Sequence, residues 1–547
     1  MSDDNGHHGE KVIEEIRSLV IPPGWARASV GEVGDVRLGR QRSPKNRSAE
    51  FPTKYVRAAN ITWNGLDLSD VLDMDFRPSE LASYRLQPGD VLLSEASGSA
   101  GEVGKPAIWN GELEDCCFQN TVIRFRPKVV SSKFALVAFL HFARNSVFAG
   151  VSKGVGIHHL SADRFASMPF LLPPKDEQSR IVAKIEELFS DLDAGVAALK
   201  RAKANLKRYR ASVLKAAVEG KLTEEWRTRH PATEPASALL ARILKERRQK
   251  WEADQLAKFA AANKEPPKNW REKYVEPTHE TGLFELPKSW TWASALEICE
   301  QVENGNTPPA HEMFEQVGDV PFIKVYNLTK NGSLDFSINP TFVSRKTHNT
   351  LLRRSRILPN DVLMNIVGPP LGKVSVVTDE YPEWNTNQAV VQFRARSGVL
   401  PRFLAACLMC DDVLLWIIRT ARATAGQYNI SVGNSRLLPL PLPPAKEQAA
   451  IVEILDESLS QIAAAETIIE HGLFRASRLR QSILKQAFEG KLVPQDPTDE
   501  PASILLERIR AIRSVHERNG KAATQNRTRG RRTKSKQLEG GATNECR

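Results

Sequence analysis

The sequence predicts an α+β protein in which two globular segments with mainly antiparallel sheets alternate with two copies of one long helix. Three observations carry that prediction. At 547 residues the chain exceeds the roughly 250–300 residues that one hydrophobic core supports. Leu172 to Leu222 aligns without a gap on Leu442 to Leu492, at an offset of 270 and with 20 identities in 51 positions. The stretches ahead of these copies, 20–170 and 284–440, are similar in length and share short motifs in the same order.

The repeated segment reads as a helix in both copies. Leu172-Pro173-Pro174-x-x-Glu177-Gln178 and Leu442-Pro443-Pro444-x-x-Glu447-Gln448 open it, with prolines that stop the preceding chain and acids that suit the first turn. Glu219-Gly220-Lys221-Leu222 and Glu489-Gly490-Lys491-Leu492 close it, each with a glycine suited to a C-cap. Between them an unbroken 4–3 alternation runs through Ile181, Ile185, Leu188, Leu192, Leu199, Leu206, Tyr209 and Val213. The second copy supplies Ile451, Leu455, Ile462, Ile469, Leu479 and Ile483. Small residues at 195, 202, 465 and 472 allow close approach at mid-length. Each seam needs a partner, and pairing the copies as an antiparallel coiled coil is the economical solution. A shorter echo, Glu234-Pro235-Ala236-Ser237 and Glu500-Pro501-Ala502-Ser503, follows each copy.

The globular segments match more weakly. Pro23-Gly24-Trp25 and Pro287-Lys288-Ser289-Trp290 open them, and Pro88-Gly89-Asp90-Val91-Leu92 corresponds to Pro359-Asn360-Asp361-Val362-Leu363. Gln119-Asn120 and Asn387-Gln388 each lead into an alternating strand, and an apolar helical stretch follows. The chain therefore divides into a polar start (1–19), a first globular domain (20–170), a helical spacer (171–225), a charged helical connector (226–283), a second globular domain (284–440), a second spacer (441–515) and a basic tail (516–547).

Composition mainly excludes. The longest apolar run, Phe403 to Ile418, carries Asp411 and Asp412 and reads as a buried helix rather than a membrane span. Six cysteines make no disulfide framework, and Cys407 and Cys410 lie in an apolar run, where core thiols are expected rather than metal ligands. The chain reads as cytoplasmic. Net charge is +11, but Lys521 to Arg547 alone carries eight basic against two acidic residues, so the folded body is only weakly basic. No GxxxxGK[ST] loop occurs, since Ser99 stands where the first glycine belongs and Pro106 follows Lys105. Neither an Asn/Asp-Pro-Pro-Tyr/Phe segment nor an acidic-pair nuclease arrangement is found, so no catalytic residue and no bound cofactor or metal is expected.

The order of domain, Leu-Pro-Pro helix, domain, Leu-Pro-Pro helix resembles the specificity subunit of type I restriction–modification enzymes. The resemblance covers nearly the whole chain except the first ~20 residues, the stretch 226–280 and the tail. It implies two target-recognition domains that read the halves of a bipartite, asymmetric double-stranded DNA target, on helices that space them. It also implies two methyltransferase subunits and restriction–translocation subunits as partners, which would use S-adenosylmethionine, ATP and Mg. The Gly426-Gln427-x-x-Ile430 loop fits the family, whereas Gly156-Ile157-His158-His159-Leu160 lacks the glutamine. Two other readings share these features: a specificity subunit of a type II-like system with a fused nuclease–methyltransferase partner, and a non-specific coiled-coil scaffold that owes its charge to the tail. A stand-alone DNA-modifying enzyme would need active-site motifs of another kind.

Base reading draws on Arg, Lys, Asn, Gln and Ser in loops and helix starts. In the first domain the candidates are the basic loop Arg40, Gln41, Arg42, Lys45 and Arg47, then Lys105, Lys153, His158 and His159. In the second they are Asn304, Asn306, Thr307, Lys324, Asn327, Lys373, Gln427, Tyr428 and Asn429.

Overall fold

The computed structural model describes residues 11–511, apart from 12, 15, 43–49, 98, 152–157, 232, 279–281, 330, 421 and 425–426. The chain forms two units, Met1–Ala198 with His471–Arg547, and Leu199–Glu470. The long helices are Lys175–Val218 and Ala445–Phe488, each starting directly after its Pro-Pro pair. At about 1.5 Å per residue each is roughly 66 Å long. Each gives its first part to one unit and its last part to the other.

In the first unit a four-stranded antiparallel sheet runs in the order Gly34–Leu38, Val122–Pro127, Val91–Ser94, Pro106–Ile108. Val122, Ile123 and Phe125 of the central strand are buried, as their apolar character requires. Phe125 meets Phe139 of the helix Ser132–Arg144 edge to face, with ring centres 5.0 Å apart. A smaller sheet orders Cys117–Phe118, Pro52–Val56 and Leu72–Asp75, its first pair parallel.

The second unit repeats this plan with more strands. One five-stranded sheet orders Cys299–Asn304, Val390–Ala395, Val362–Asn365, Val374–Val376 and Gly332–Ser333. The other orders Met313–Glu315, Thr341–Val343, Val320–Ile323, Trp384–Thr386 and Arg356–Ile357. Most pairings are antiparallel, so the fold is the α+β arrangement expected. The apolar run after Phe403 differs from expectation, because it forms two helices, Pro401–Met409 and Asp411–Thr420. Asp411 and Asp412 lie in the first turn of the second helix, where carboxylates favour a new start over continuation. Cys407 and Cys410 are buried, and burial pushes both thiols up. Among the described residues no helix is long and apolar enough to cross a membrane.

The repeated motifs are the joints between helices and domains. In each unit a two-stranded clasp, Ala26–Ser29 with Pro169–Leu172 or Thr291–Ser294 with Pro439–Leu442, joins the start of the globular segment to its end. The helix leaves from that clasp. Gln178 accepts from the N–H of Ser131 at 2.8 Å and donates to the Pro173 carbonyl at 3.1 Å. Gln448 does the same with Leu400 at 2.8 Å and Pro443 at 3.1 Å. Ser131 and Leu400 are the N-cap residues of the domain helices, so one glutamine fixes the angle between two helices.

The neighbouring glutamates are buried as well. Glu447 accepts from Arg227 Nη1 at 2.6 Å, Thr223 Oγ1 at 2.7 Å and Trp290 Nε1 at 2.9 Å. Glu177 accepts from Gln495 Nε2 at 3.2 Å, and burial pushes its carboxyl above the ordinary carboxylate range. Gly220 and Gly490 are left-handed at φ +75° and +68°, and they lie against Pro287 and Trp290, and against Pro22 and Trp25. The Glu-Pro-Ala-Ser echo docks beside them, the Ala236 N–H on the Ser289 carbonyl at 2.9 Å and the Ala502 N–H on the Gly24 carbonyl at 2.8 Å.

The Gly-Asp-Val motif has an equally specific cause. Asp90 takes both arms of Arg126 at 2.7 Å and the Gln87 N–H at 2.8 Å. Asp361 takes Arg394 at 2.9 and 2.7 Å and the Leu358 N–H at 2.8 Å. Both carboxylates are buried, and a forked guanidinium is the partner that best matches a buried carboxylate.

The helices pair antiparallel within each unit. In the second, Lys203 meets Glu470 at 2.9 Å and Arg210 meets Glu466 at 3.1 Å. In the first, Arg480 pairs with Asp193 and lies over the Phe189 ring. The seam residues Ile181, Ile185, Val213, Ile451, Leu455, Ile462, Ile469 and Ile483 are buried, and Leu188, Leu192, Leu199 and Leu206 are half-buried. Tyr209 and Leu479 depart from the expected seam: they are 54% and 49% exposed, at matching positions of the repeat. Two helices cover only a narrow stripe, and these two side chains fall outside it.

Candidate nucleic-acid interface

Described segments that carry several of the sequence candidates meet at one end of the main sheet in each unit. In the first, the N–H groups of Gly39 and Arg40 donate to the carbonyls of Val122 and Phe118 at 3.0 and 3.1 Å, and the Asn120 N–H returns to Arg40 at 3.0 Å. The Glu95 N–H donates to Thr121 at 2.8 Å, and the Leu160 N–H donates to Glu95 at 2.8 Å. His158–His159 pairs as a strand with Ala96–Ser97. Residues 40–42, 95–97, 119–121 and 158–160 thus form one rim.

The second unit builds its rim with the same bonds. Gly305 and Asn306 donate to Val390 and Thr386 at 3.2 and 3.1 Å, Ile366 donates to Ala389 at 2.8 Å, and Ile430 donates to Ile366 at 2.9 Å. Gly39 and Gly305 press so closely on the carbonyls of Gln119 and Thr386 that neither site has room for a Cβ. The expected loop around Gln427 is a hairpin, Arg422–Thr424 with Gln427–Asn429.

Within these rims the candidates separate. Gln41, Arg42, Asn306 and Asn429 are exposed, and His158 is half-buried. His159 is 53% exposed, with Nδ1 3.1 Å from Glu95 Oε1. Asn304 Nδ2 donates to the Gln388 carbonyl at 3.3 Å, and Lys324 lies over the Tyr326 ring at 5.9 Å. Lys45, Arg47 and Lys153 lie outside the described residues, as do the side chains of Gln427 and Tyr428.

Four candidates make contacts within the fold. Asn327 is 1% exposed, accepts from the Lys324 N–H at 2.9 Å and donates to the carbonyls of Asp335 and Ile338 at 3.1 and 2.8 Å. Its amide has nothing left for a base, and Asn60 plays the same part in the first unit. Arg40 is tied to Glu80 at 3.0 Å and to the Asp75 carbonyl, over the Phe76 ring. Lys105 pairs with Glu102 at 2.5 Å, and the hydrogen bonds from Lys105 and Trp63 hold the Glu102 carboxyl below its ordinary range. The Lys373 ammonium lies 3.5 Å from the Val325 carbonyl.

The rims also hold polar groups outside the candidate set, Glu95, Gln119 and Asn120 in the first and Asn387 and Gln388 in the second, beside the candidate Thr307. Thr307 Oγ1 donates to Gln388 Oε1. The signal for most of them was the polar pair ahead of each alternating strand. The first rim presents a guanidinium, amides, an imidazole and a carboxylate, and the second is dominated by amides. Such groups discriminate base edges by donor and acceptor pattern. Among the described residues no group of three or more His, Cys, Asp or Glu side chains is arranged to hold a metal ion.

Comparison with known proteins follows the same two-part plan. The family described as "Type I restriction modification DNA specificity domain" matches twice, at residues 22–202 and 287–471. The type I restriction enzyme EcoKI specificity subunit of Escherichia coli strain K12 is 25% identical over 538 residues, covering 93% of this chain and 99% of that protein. The StySPI specificity subunit of Salmonella potsdam is 25% identical over 514 residues, covering 90% and 96%. A solved structure described as "Structural basis underlying complex assembly and conformational transition of the type I R-M system" shares the fold at a TM-score of 0.59 and 18% identity, covering 86% of this chain and 100% of that one.

Proposed function

This chain belongs to the type I restriction–modification DNA specificity family, and from that premise we propose how its two units divide the work. Each rim reads one half of a bipartite, asymmetric target in double-stranded DNA, and the paired helices set the gap between the halves. The observation that carries this reading is the contrast between joints and rims. The Glu-Gln docking pair, the glycine cap and the buried Asp–Arg fork recur residue for residue, whereas the rim side chains differ. A scaffold that holds identical partners has to repeat itself, and two readers of different sequences have to diverge.

The chain performs no chemistry in this reading. Methyl transfer and cleavage belong to methyltransferase and restriction–translocation subunits, which supply the sites for S-adenosylmethionine, ATP and Mg. Two methyltransferase subunits dock along the helices. In the second unit an open, mainly apolar groove of about 450 Å³ is lined by Ala202, Leu206, Tyr209, Ala465, Ile468 and Ile469. Ile468 is 71% exposed, and Phe474 on the first unit's part of the same helix is 64% exposed. Large apolar side chains exposed on a helix are suited to a partner helix.

Mapping methylated bases across the genome of cells with and without this gene, in the presence of the methyltransferase, tests the reading. One motif of two separated, unlike halves should depend on the gene. A motif that persists without it, or methyl transfer by the purified chain alone, would refute the proposal.

A further inference from the structure

The rim of the first unit contains one group that a phosphate-binding surface would exclude. Glu95 has a side chain 16% exposed, and both of its oxygens lie near His159 Nδ1, at 3.1 and 3.3 Å. Among the described residues no lysine or arginine pairs with it. Its backbone is clamped on both sides, N–H to Thr121 and carbonyl from Leu160, each at 2.8 Å, so the side chain leaves from a fixed point. The matching position in the second unit is Ile366, which is 4% exposed and has no polar side-chain atom.

We infer that the Glu95 carboxylate, positioned by His159, reads the exocyclic amino group of a cytosine in the half-site contacted by the first unit. The inference rests on the DNA-reading role proposed above. An ionised carboxylate is an acceptor only. In the major groove the base-edge donors are cytosine N4 and adenine N6, and adenine sets an N7 acceptor beside its amino group. A carboxylate facing adenine therefore meets one matched and one opposed group, which is why amides suit adenine and carboxylates suit cytosine. Thymine O4 and guanine O6 and N7 oppose a carboxylate outright. The same negative charge repels phosphates, so Glu95 weakens non-specific binding while it selects a base. His159 donates Nδ1–H to the carboxylate and fixes its direction.

The test uses the assembled complex of this chain with its methyltransferase subunits, read by genome-wide mapping of methylated sites and by competition binding on duplexes varied one base pair at a time. The unaltered chain comes first: if it directs no bipartite motif, the proposed function itself fails before any variant is examined. With Glu95→Gln one position in one half should change preference from cytosine to adenine, and with Glu95→Ala that position should accept any base. Discrimination there should fall roughly tenfold to a hundredfold, with every other letter kept. His159→Ala should broaden the same letter, and His159→Gln, which restores a donor, should recover it. Glu95→Gln is isosteric and carries the test if the alanine variant fails to assemble. An unchanged motif in Glu95→Gln, or an equal loss of binding to all sequences, would overturn the inference.

Discussion

The two units agree in the contacts that hold the fold and disagree along the rims. Asp90 and Asp361 grip Arg126 and Arg394 through the same fork, and Asn60 and Asn327 bind three backbone groups each. A few residues away Glu95 stands where the second unit has Ile366, and Gln41 and Arg42 stand where it has Thr307 and Pro308. Divergence is thus concentrated in the rims, where Arg40, tied to Glu80, also gives way to Asn306. Even the joints differ: Glu447 accepts from three donors, one of them a guanidinium, whereas Glu177 accepts from Gln495 and burial raises its carboxyl above the ordinary range.

That difference gives the largest expected effect. Glu447→Ala strands the Trp290 indole N–H and removes the counter-charge of Arg227, which keeps only the Gly220 carbonyl and the Thr223 hydroxyl. Losing one partner of a buried pair costs up to about 3–5 kcal/mol. Glu177→Ala strands no charge at matching depth and should cost about half as much, measured by denaturant unfolding of each variant. Equal losses would mean that the two joints are equivalent after all.

A pH experiment distinguishes the units next. His141 of the first unit is 6% exposed, stacks on Phe488 at 5.0 Å, and is pushed down to about 4 by burial. The folded chain therefore keeps it neutral while the unfolded chain takes up a proton. Its contribution is complete above about pH 6.5 and is lost as pH falls toward 4, by at most about 3 kcal/mol. His141→Phe should remove that dependence, so the stability difference between the variant and the unaltered chain should shift in the variant's favour across this window. A constant difference would show that His141 is not the titrating group.

The smallest effect concerns what the units share. Asp90→Asn and Asp361→Asn each weaken one forked pair, and should cost about 1–3 kcal/mol in each unit. Unfolding free energies that differ widely between the two would break the claim that the scaffolds are equivalent.

Much of this architecture was legible because repeats expose it. The offset of 270, the Pro-Pro starts and the glycine caps located both long helices, since those signals are local. The rims were legible only in part. Arg40 and Lys105 were selected as cations, but their charges are taken by Glu80, 40 residues away and beyond any local pattern, and by Glu102, three residues away. Asn327 looked like a reader because a buried amide and an exposed one have the same letter. Tyr209 and Leu479 kept the heptad but fell outside the contact stripe, a matter of how wide two helices are rather than of periodicity.

The central claim is that each globular domain reads its own half of the target independently of the other. Its most direct test replaces residues 284–440 with the corresponding segment of a relative of different specificity and maps the methylated motif in cells. One half should change its letters while the other half and the intervening gap stay as they were. A motif altered in both halves, or in neither, would contradict it.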